Sequence, residues 1–313
     1  MKFDLIVFGS AFYDTYITSD EFKVKHTQEG MMLCELYGKK IEIKDVVVTM
    51  GGGATNAAVC FERMGLQSAL VSCLGRDSWG RMVKEQLEQE GVSLLYLQTD
   101  KKYKTSSSIA LVGNDGDRTI LVHRGASNHI SWHNVDWNRL DGCWAYISSL
   151  GGDFSLLDKI LFWANDKKIK LAFNPGGGEL KEVNKLNKTL SNLEILLLNK
   201  QEAIQLTGDK ELKKTWFYEC GAQITVVTDG KNGADVFTAD KKYYHQDAIK
   251  TEAVEVTGAG DGFGSGFVSG IVNELSIEQA LKLAAYNSAS VVEHIGPKAG
   301  ILFWPEAKKL LKI

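Results

Sequence analysis

The chain has 313 residues, enough for one large α/β domain or two smaller ones to bury a core. Its 36 Lys and Arg against 39 Asp and Glu leave a formal charge of −3, with no basic stripe or charge run that would favour nucleic acid or a membrane surface. The five cysteines (Cys34, Cys60, Cys73, Cys143, Cys220) are widely spaced without a C-x-x-C pair, and no apolar stretch is long enough to span a bilayer. A cytoplasmic protein with reduced thiols and no signal peptide is therefore expected.

In chain order, short apolar runs predict strands at 5–8, 69–74, 144–148, 170–173, 194–198 and 224–227. Amphipathic stretches predict helices at 55–64, 78–90, 155–166, 200–206, 259–273 and 277–293. Gly65, Gly91 and Gly208 stand just past three of these helices, where a left-handed residue ends a helix well. The strand runs are continuous rather than alternating, as in strands buried on both faces, so a mainly parallel sheet covered by helices is expected. Two regions, about 12–50 and about 92–124, instead show polar alternation and a turn signal at Asn114-Asp115-Gly116. They predict antiparallel strands half exposed to solvent, a small sheet that projects as a lid from one domain spanning 1–313.

Two glycine clusters carry chemistry. Thr257-Gly258-Ala259-Gly260-Asp261 opens a small-residue helix, whose terminus offers unpaired N–H groups to an anion. Asp261 would repel a bound phosphate, yet phosphoryl transfer needs a base beside the phosphate; the plain alternative is a helix cap. Downstream, Gly262, Gly266 and Gly270 share one helix face. Each costs about 1 kcal/mol relative to alanine, so that face should press against another backbone or a ligand. The second cluster, Gly51-Gly52-Gly53-Ala54-Thr55-Asn56, follows a strand-like run and opens a helix. A dinucleotide fingerprint would need glycine at Asn56. Bare glycine backbone beside an amide suits a polyhydroxyl ligand, and a capped helix after a flexible turn is the bland alternative. Asp77 leaves the dinucleotide reading a share, as a mimic of a ribose-binding acid.

Taken together, these segments resemble the ribokinase (PfkB) family of carbohydrate and nucleoside kinases. Residues 51–75 resemble its first signature and 256–268 its second. Gly9 to Asp14, the turn Gly75 to Gly80, Asn199-Lys200-Gln201-Glu202, and Thr228-Asp229-Gly230 with Gly233 resemble further family segments in the same order. The resemblance implies a three-layer α/β/α fold with a β-sheet lid and a reaction with ATP and Mg²⁺ on a small-molecule sugar or nucleoside. Asp261 would be the general base, and the backbone of Gly258, Ala259 and Gly260 the anion hole. Asp14, Gly51, Gly52 and Asn56 would orient the acceptor. Asn199 would act near the phosphates, Glu202 through Mg²⁺-bound water, Thr228, Gly230 and Gly233 would border the nucleotide, and Asn287 would flank the adenine. It also implies a homodimer formed through the lid.

Three departures qualify the resemblance. Glu255 and Val256 stand where the family usually has Asp and commonly Thr, beside a monovalent-cation site. The longer acid could reach K⁺ or abolish the site, with Lys298 substituting for the charge. Ile147 to Leu150 lacks the carboxylate that holds ribose, which argues against strict ribose specificity, and Asn174-Pro175-Gly176 replaces a common N-P-A. A sugar is the expected acceptor, with a nucleoside as the alternative. More remote are a nicotinamide-dependent oxidoreductase and a non-catalytic sensor.

Overall fold

A computed structural model of the chain describes residues 2–28, 30–35, 37–113 and 117–313, so the turn signal at 114–116 lies outside the described residues. Among these, an eight-stranded sheet runs in the order Tyr243–Gln246, Ala234–Thr238, Ile224–Thr228, Ile195–Asn199, Lys170–Phe173, Gly142–Ile147, Phe3–Phe8, Ser68–Val71. Six neighbouring strands pair in parallel, from Ile224–Thr228 to Ser68–Val71, and the last two add on antiparallel at one edge.

The continuous apolar runs are explained by two cores, one on each face of this sheet. In Ile195–Asn199, Ile195 and Leu197 point into one core and Leu196 and Leu198 into the other, the period of two that a pleated strand imposes. Helices Gly53–Arg63, Ser78–Gln89, Ala259–Val272 and Ile277–Val292 close the first core. Phe154–Lys167 and Lys200–Thr207 close the second.

Helix Ala259–Val272 packs against Ile277–Val292 through the glycine face. A Cβ on Gly266 would lie 3.3 Å from Ala284 Cα, and one on Gly270 would lie 2.7 Å from Ala280 Cβ. The glycines are thus used for backbone approach to a second helix, which offsets their conformational cost.

The expected strands and helices are present with shifted ends, with one exception. The run at 69–74 breaks into Ser68–Val71 and Cys73–Gly75, and the second piece pairs with Gln98–Asp100 away from the main sheet. Six strands and α-helices among the described residues escaped the sequence pattern: strands Ala234–Thr238 and Tyr243–Gln246, and helices Gly177–Leu180, Val183–Asn187, Lys214–Glu219 and Trp304–Leu311. All are short, and Tyr243–Gln246 is a half-exposed edge strand with no apolar run.

A separate four-stranded sheet has the order Arg118–His123, Ser106–Val112, Phe12–Thr18, Asp45–Gly51. The expectation of purely antiparallel strands is corrected here, because Phe12–Thr18 and Ser106–Val112 pair in parallel. Their connection passes through helices and strands of the body, a crossover long enough to return the chain in the same direction. The early part of the 92–124 segment also lies elsewhere, since Gln98–Asp100 belongs to the small parallel pair. Lys23–Thr27 and Gly30–Cys34 form a ribbon of their own. The chain enters this lid just beyond the carboxyl end of Phe3–Phe8, and Asp45–Gly51 runs straight into helix Gly53–Arg63. The lid therefore hangs over the carboxyl ends of the parallel strands, where open α/β sheets bind ligands.

Candidate active site

The centre of the site is the start of helix Ala259–Val272. Gly258 precedes it with φ 83°, a left-handed conformation that favours glycine, and a Cβ there would also lie 2.5 Å from Pro297 Cβ. No side chain caps this end. The N–H of Ala259 donates to Val256 O at 3.3 Å, so of the three expected anion-hole donors this one is turned back into the loop. The N–H groups of Gly258 and Gly260 have no acceptor among the described residues, and a Cβ on Gly260 would meet nothing within 4 Å. An open, positively polarised backbone thus stands beside Asp261 in the first helical turn.

Asp261 is held by a relay. Asn56, on helix Gly53–Arg63, is 4% exposed and donates through Nδ2 to Asp261 Oδ2 at 2.7 Å. Lys298, also buried, donates through Nζ to Asn56 Oδ1 and to Met50 O, the latter at 2.7 Å. An ammonium can only donate, so the Asn56 amide is turned with its oxygen to Lys298 and its NH₂ to the carboxylate. Burial raises the Asp261 carboxyl above its ordinary value, opposed by the Asn56 bond and the Lys298 charge. Burial brings the Lys298 ammonium down to about 7, against the pull of Asp14 and Asp261.

Asp14 lies on lid strand Phe12–Thr18, buried, and accepts from Ser108 Oγ at 2.7 Å on the neighbouring strand. Burial raises its carboxyl, with Ser108 and Lys298 opposing. Gly51 exists for this side chain: a Cβ there would sit 1.6 Å from Asp14 Oδ2. Gly52 is likewise closed in, with its would-be Cβ 2.6 Å from Ser10 O. Asn56 was expected to face the acceptor directly. Each end of its amide also holds a protein group, so Asn56 positions Asp261 while keeping one N–H and one lone pair.

Across Asp261 a cleft of about 280 Å³ is lined by Asn174, Asn199, Glu202, Thr228, Gly258 and Gly260, among others. Asn199 ends strand Ile195–Asn199 and caps helix Lys200–Thr207. Its Oδ1 accepts from Glu202 N at 2.9 Å, while Glu202 Oε2 accepts from Asn199 N at 2.8 Å. The capping box and the placement of both side chains in the cleft are therefore one arrangement. Burial raises the Glu202 carboxyl, and the charge of Asp261 adds to the effect. Gly230 and Gly233 lie just beyond Thr228 in the turn before Ala234–Thr238, where Asp229 N donates to Gly233 O at 2.8 Å. Asn287 is corrected outright. It is fully buried, donates to Gly262 O at 2.7 Å and accepts from Leu302 N at 3.0 Å, so it fastens three backbone segments and does not reach the cleft.

Two site groups had no signal in the sequence. Glu179, buried, accepts from Leu150 N, Gly152 N, Gly176 N and Ser149 Oγ, and so ties down the loops after two parallel strands. Arg118, at the start of lid strand Arg118–His123, lines the cleft with its Nε 3.4 Å from Glu255 Oε1. Glu255 has no exposed surface, and its Oε1 also accepts from Thr257 N at 2.6 Å. The cation beside Glu255 is therefore Arg118, while Lys298, considered for that place, is spent on Asn56 and Met50. Asp77, which kept the dinucleotide reading open, caps helix Ser78–Gln89 and binds Thr105 through both carboxylate oxygens.

Comparison with known proteins shows the family and the fold. The family described as pfkB family carbohydrate kinase matches residues 2–302. The aminoimidazole riboside kinase of Salmonella typhimurium is 29% identical over 68% of this chain and 70% of its own length. The nucleoside kinase of Methanothermobacter thermautotrophicus is 24% identical over 98% of this chain and 94% of its own. Among solved structures, Arabidopsis thaliana ribokinase complexed with ribose and ATP superposes with a TM-score of 0.80 at 23% identity, covering 100% of both chains.

Proposed function

The chain belongs to the pfkB family of carbohydrate kinases, ATP-dependent phosphotransferases with hydroxyl acceptors, and we propose that its acceptor is a sugar hydroxyl deprotonated by Asp261. The observation that carries this reading is the pairing of the Asp261 carboxylate with unpaired N–H groups at the same helix start. A carboxylate raised by burial is suited to accept a proton, and the adjacent donors suit the charge that develops on phosphoryl oxygens.

In this mechanism Asp14, steadied by Ser108, binds acceptor hydroxyls under the lid, and Gly51 and Gly52 leave the room that the Asp14 carboxylate and the Ser10 backbone occupy. Asn56 and Lys298 aim the Asp261 carboxylate at the attacking hydroxyl. As the acceptor oxygen bonds to phosphorus, the bond from phosphorus to the leaving ADP oxygen breaks, and the acceptor proton passes to Asp261. The N–H groups of Gly258 and Gly260 stabilise the transferred group; the bond of Ala259 to Val256 O is long enough to be shared. Thr228 and the turn with Gly230 and Gly233 border the nucleotide. Mg²⁺ would offset the charge of the triphosphate when bound, and Glu202 fits it, since Oε2 serves the capping box and Oε1 can accept from metal-bound water. A K⁺ ion beside Glu255 fits poorly, because the Arg118 guanidinium already faces that carboxylate.

A nucleoside acceptor is the second reading. Ile120 and Val122 lie on the lid face of Asp14 and Ser108, as the strand pairing Asp14–Ser108–Val122 requires, and both remain exposed, an apolar roof that would suit a base. The opposite lid face carries Val48, Ile109 and Leu121 in one cross-strand row with Thr15, all three exposed, and we assign it to a homodimer contact. Light scattering that finds a monomer would remove the dimer.

The test is coupled ADP release over pentoses, hexoses, ketodeoxy sugar acids and nucleosides. Fastest turnover on a sugar supports the proposal, and fastest turnover on a nucleoside replaces it with the second reading. No turnover on any acceptor would favour a sensor.

A further inference from the structure

A triphosphate brings several negative charges into a cleft that already holds the carboxylates of Glu202 and Asp261. Among the described residues lining it there is one cationic side chain, Arg118, and it comes from the lid rather than from the body. Its place there follows from strand register. Arg118 is opposite Val112, which is opposite Thr18, on the lid face that also carries Asp14.

From that face the side chain reaches Glu255, a carboxylate without exposed surface. Glu255 in turn accepts from the N–H of Thr257, the residue just before the turn that opens the catalytic helix. Lid cation, buried acid and catalytic helix start are thus in one line of contact. Asp117 pairs more loosely with the same guanidinium, at 3.8 Å and from an exposed position.

This line is incompletely satisfied. Arg118 Nε and Glu255 Oε2 are buried and make no hydrogen bond among the described residues. Buried polar atoms without partners lower stability, and such a cluster calls for a reason other than folding. A planar guanidinium has five donors, so one edge can hold Glu255 while another faces a phosphoryl oxygen; an ammonium could not bridge both with fixed geometry.

We propose that Arg118 is a catalytic residue delivered by the lid: clamped by Glu255, its guanidinium contacts the transferred phosphoryl group and supplies beside Glu255 the charge that a monovalent cation would otherwise bring. The inference rests on the phosphotransfer reading above. Arg118 exchanges neither proton nor electron. The acceptor proton still goes to Asp261 and the electron pair of the broken bond to ADP.

Arg118→Ala, Arg118→Lys and wild type are compared for turnover and for binding of MgADP alone and MgADP with aluminium fluoride, which imitates the phosphoryl group in flight. For Arg118→Ala, kcat should fall about 100- to 1000-fold and aluminium fluoride should lose most of its tightening effect on MgADP, with affinity for MgADP alone kept within about threefold. Arg118→Lys should recover little, millimolar guanidinium should partly restore Arg118→Ala, and wild type should turn over equally in K⁺ and Na⁺ salts while Arg118→Ala gains stimulation by K⁺. A variant with wild-type kcat and an unchanged aluminium fluoride effect, or a wild type that requires K⁺, would overturn the proposal. If wild type turns over no acceptor, the sugar assignment fails by itself, and the aluminium fluoride comparison still decides the role of Arg118.

Discussion

Asn56 Nδ2 donates to Asp261 Oδ2 at 2.7 Å, joining two helices whose contacting residues are 205 positions apart in the chain. Because Lys298 occupies the other end of the same amide, the orientation of Asn56 is determined, and with it the orientation of the carboxylate. The base is therefore positioned by a buried lysine acting through a neutral amide. This arrangement holds the carboxylate without placing the full positive charge against it, which would depress its basicity.

Asp261→Asn should keep the Asn56 contact through its amide oxygen and lose the proton acceptor. We expect kcat to fall about 1000-fold or more with thermal stability nearly unchanged, read by coupled ADP release and a melting curve. Retention of full turnover would assign the base elsewhere.

Asn56→Ala leaves Lys298 Nζ with one fewer acceptor and Asp261 Oδ2 without its donor, both in a buried setting. A loss of about 1–3 kcal/mol in urea unfolding is expected, together with a large drop in kcat. Were Asn56 chiefly an acceptor-binding group, KM would rise instead with stability kept.

Asp14→Asn and Gly51→Ala should act alike, since a Cβ at 51 would displace the Asp14 carboxylate it overlaps. Both are expected to raise the acceptor KM at least about tenfold and to leave the KM for ATP nearly unchanged. Initial-rate kinetics with each substrate varied in turn separate the two constants.

The folded-state pKa of Lys298 is depressed from 10.5 to about 7. Between those values the unfolded chain holds more protons than the folded one, so the stability linked to this group is full above the unfolded value and is lost as pH falls toward about 7. Relative to Lys298→Met, wild type should gain up to about 1 kcal/mol per pH unit as pH rises from neutrality to 9, measured by urea midpoints. A pH-independent difference between the two would show that Lys298 is not buried as a depressed ammonium.

The raised carboxyl of Asp261 has a kinetic counterpart. Its value is raised by burial, so kcat/KM should fall as pH drops through a point above the ordinary aspartate range. A limb at or below the ordinary range would contradict that environment; the pH–rate profile reads it directly.

The sequence by itself pointed to the layered α/β architecture, because short continuous apolar runs alternating with amphipathic helical stretches suit strands with a core on each face, as Ile195 to Leu198 are. It indicated the reaction class as well. The helix start beside a carboxylate left catalyst and cap open by itself, and the resemblance of several segments in family order, Asn199 to Glu202 among them, pointed to the reaction. Tertiary structure decided what those groups lean on. Asn56 holds Asp261, Asn287 is a fastener of backbone, and Arg118 rather than Lys298 stands beside Glu255, because each partner is brought from a distant element by packing and register. Hydrogen bonds of that kind depend on where a side chain points, and burial raises or lowers a pKa only once the surrounding shell exists. Neither quantity has a value along the chain; both appear when the lid and the two helices meet.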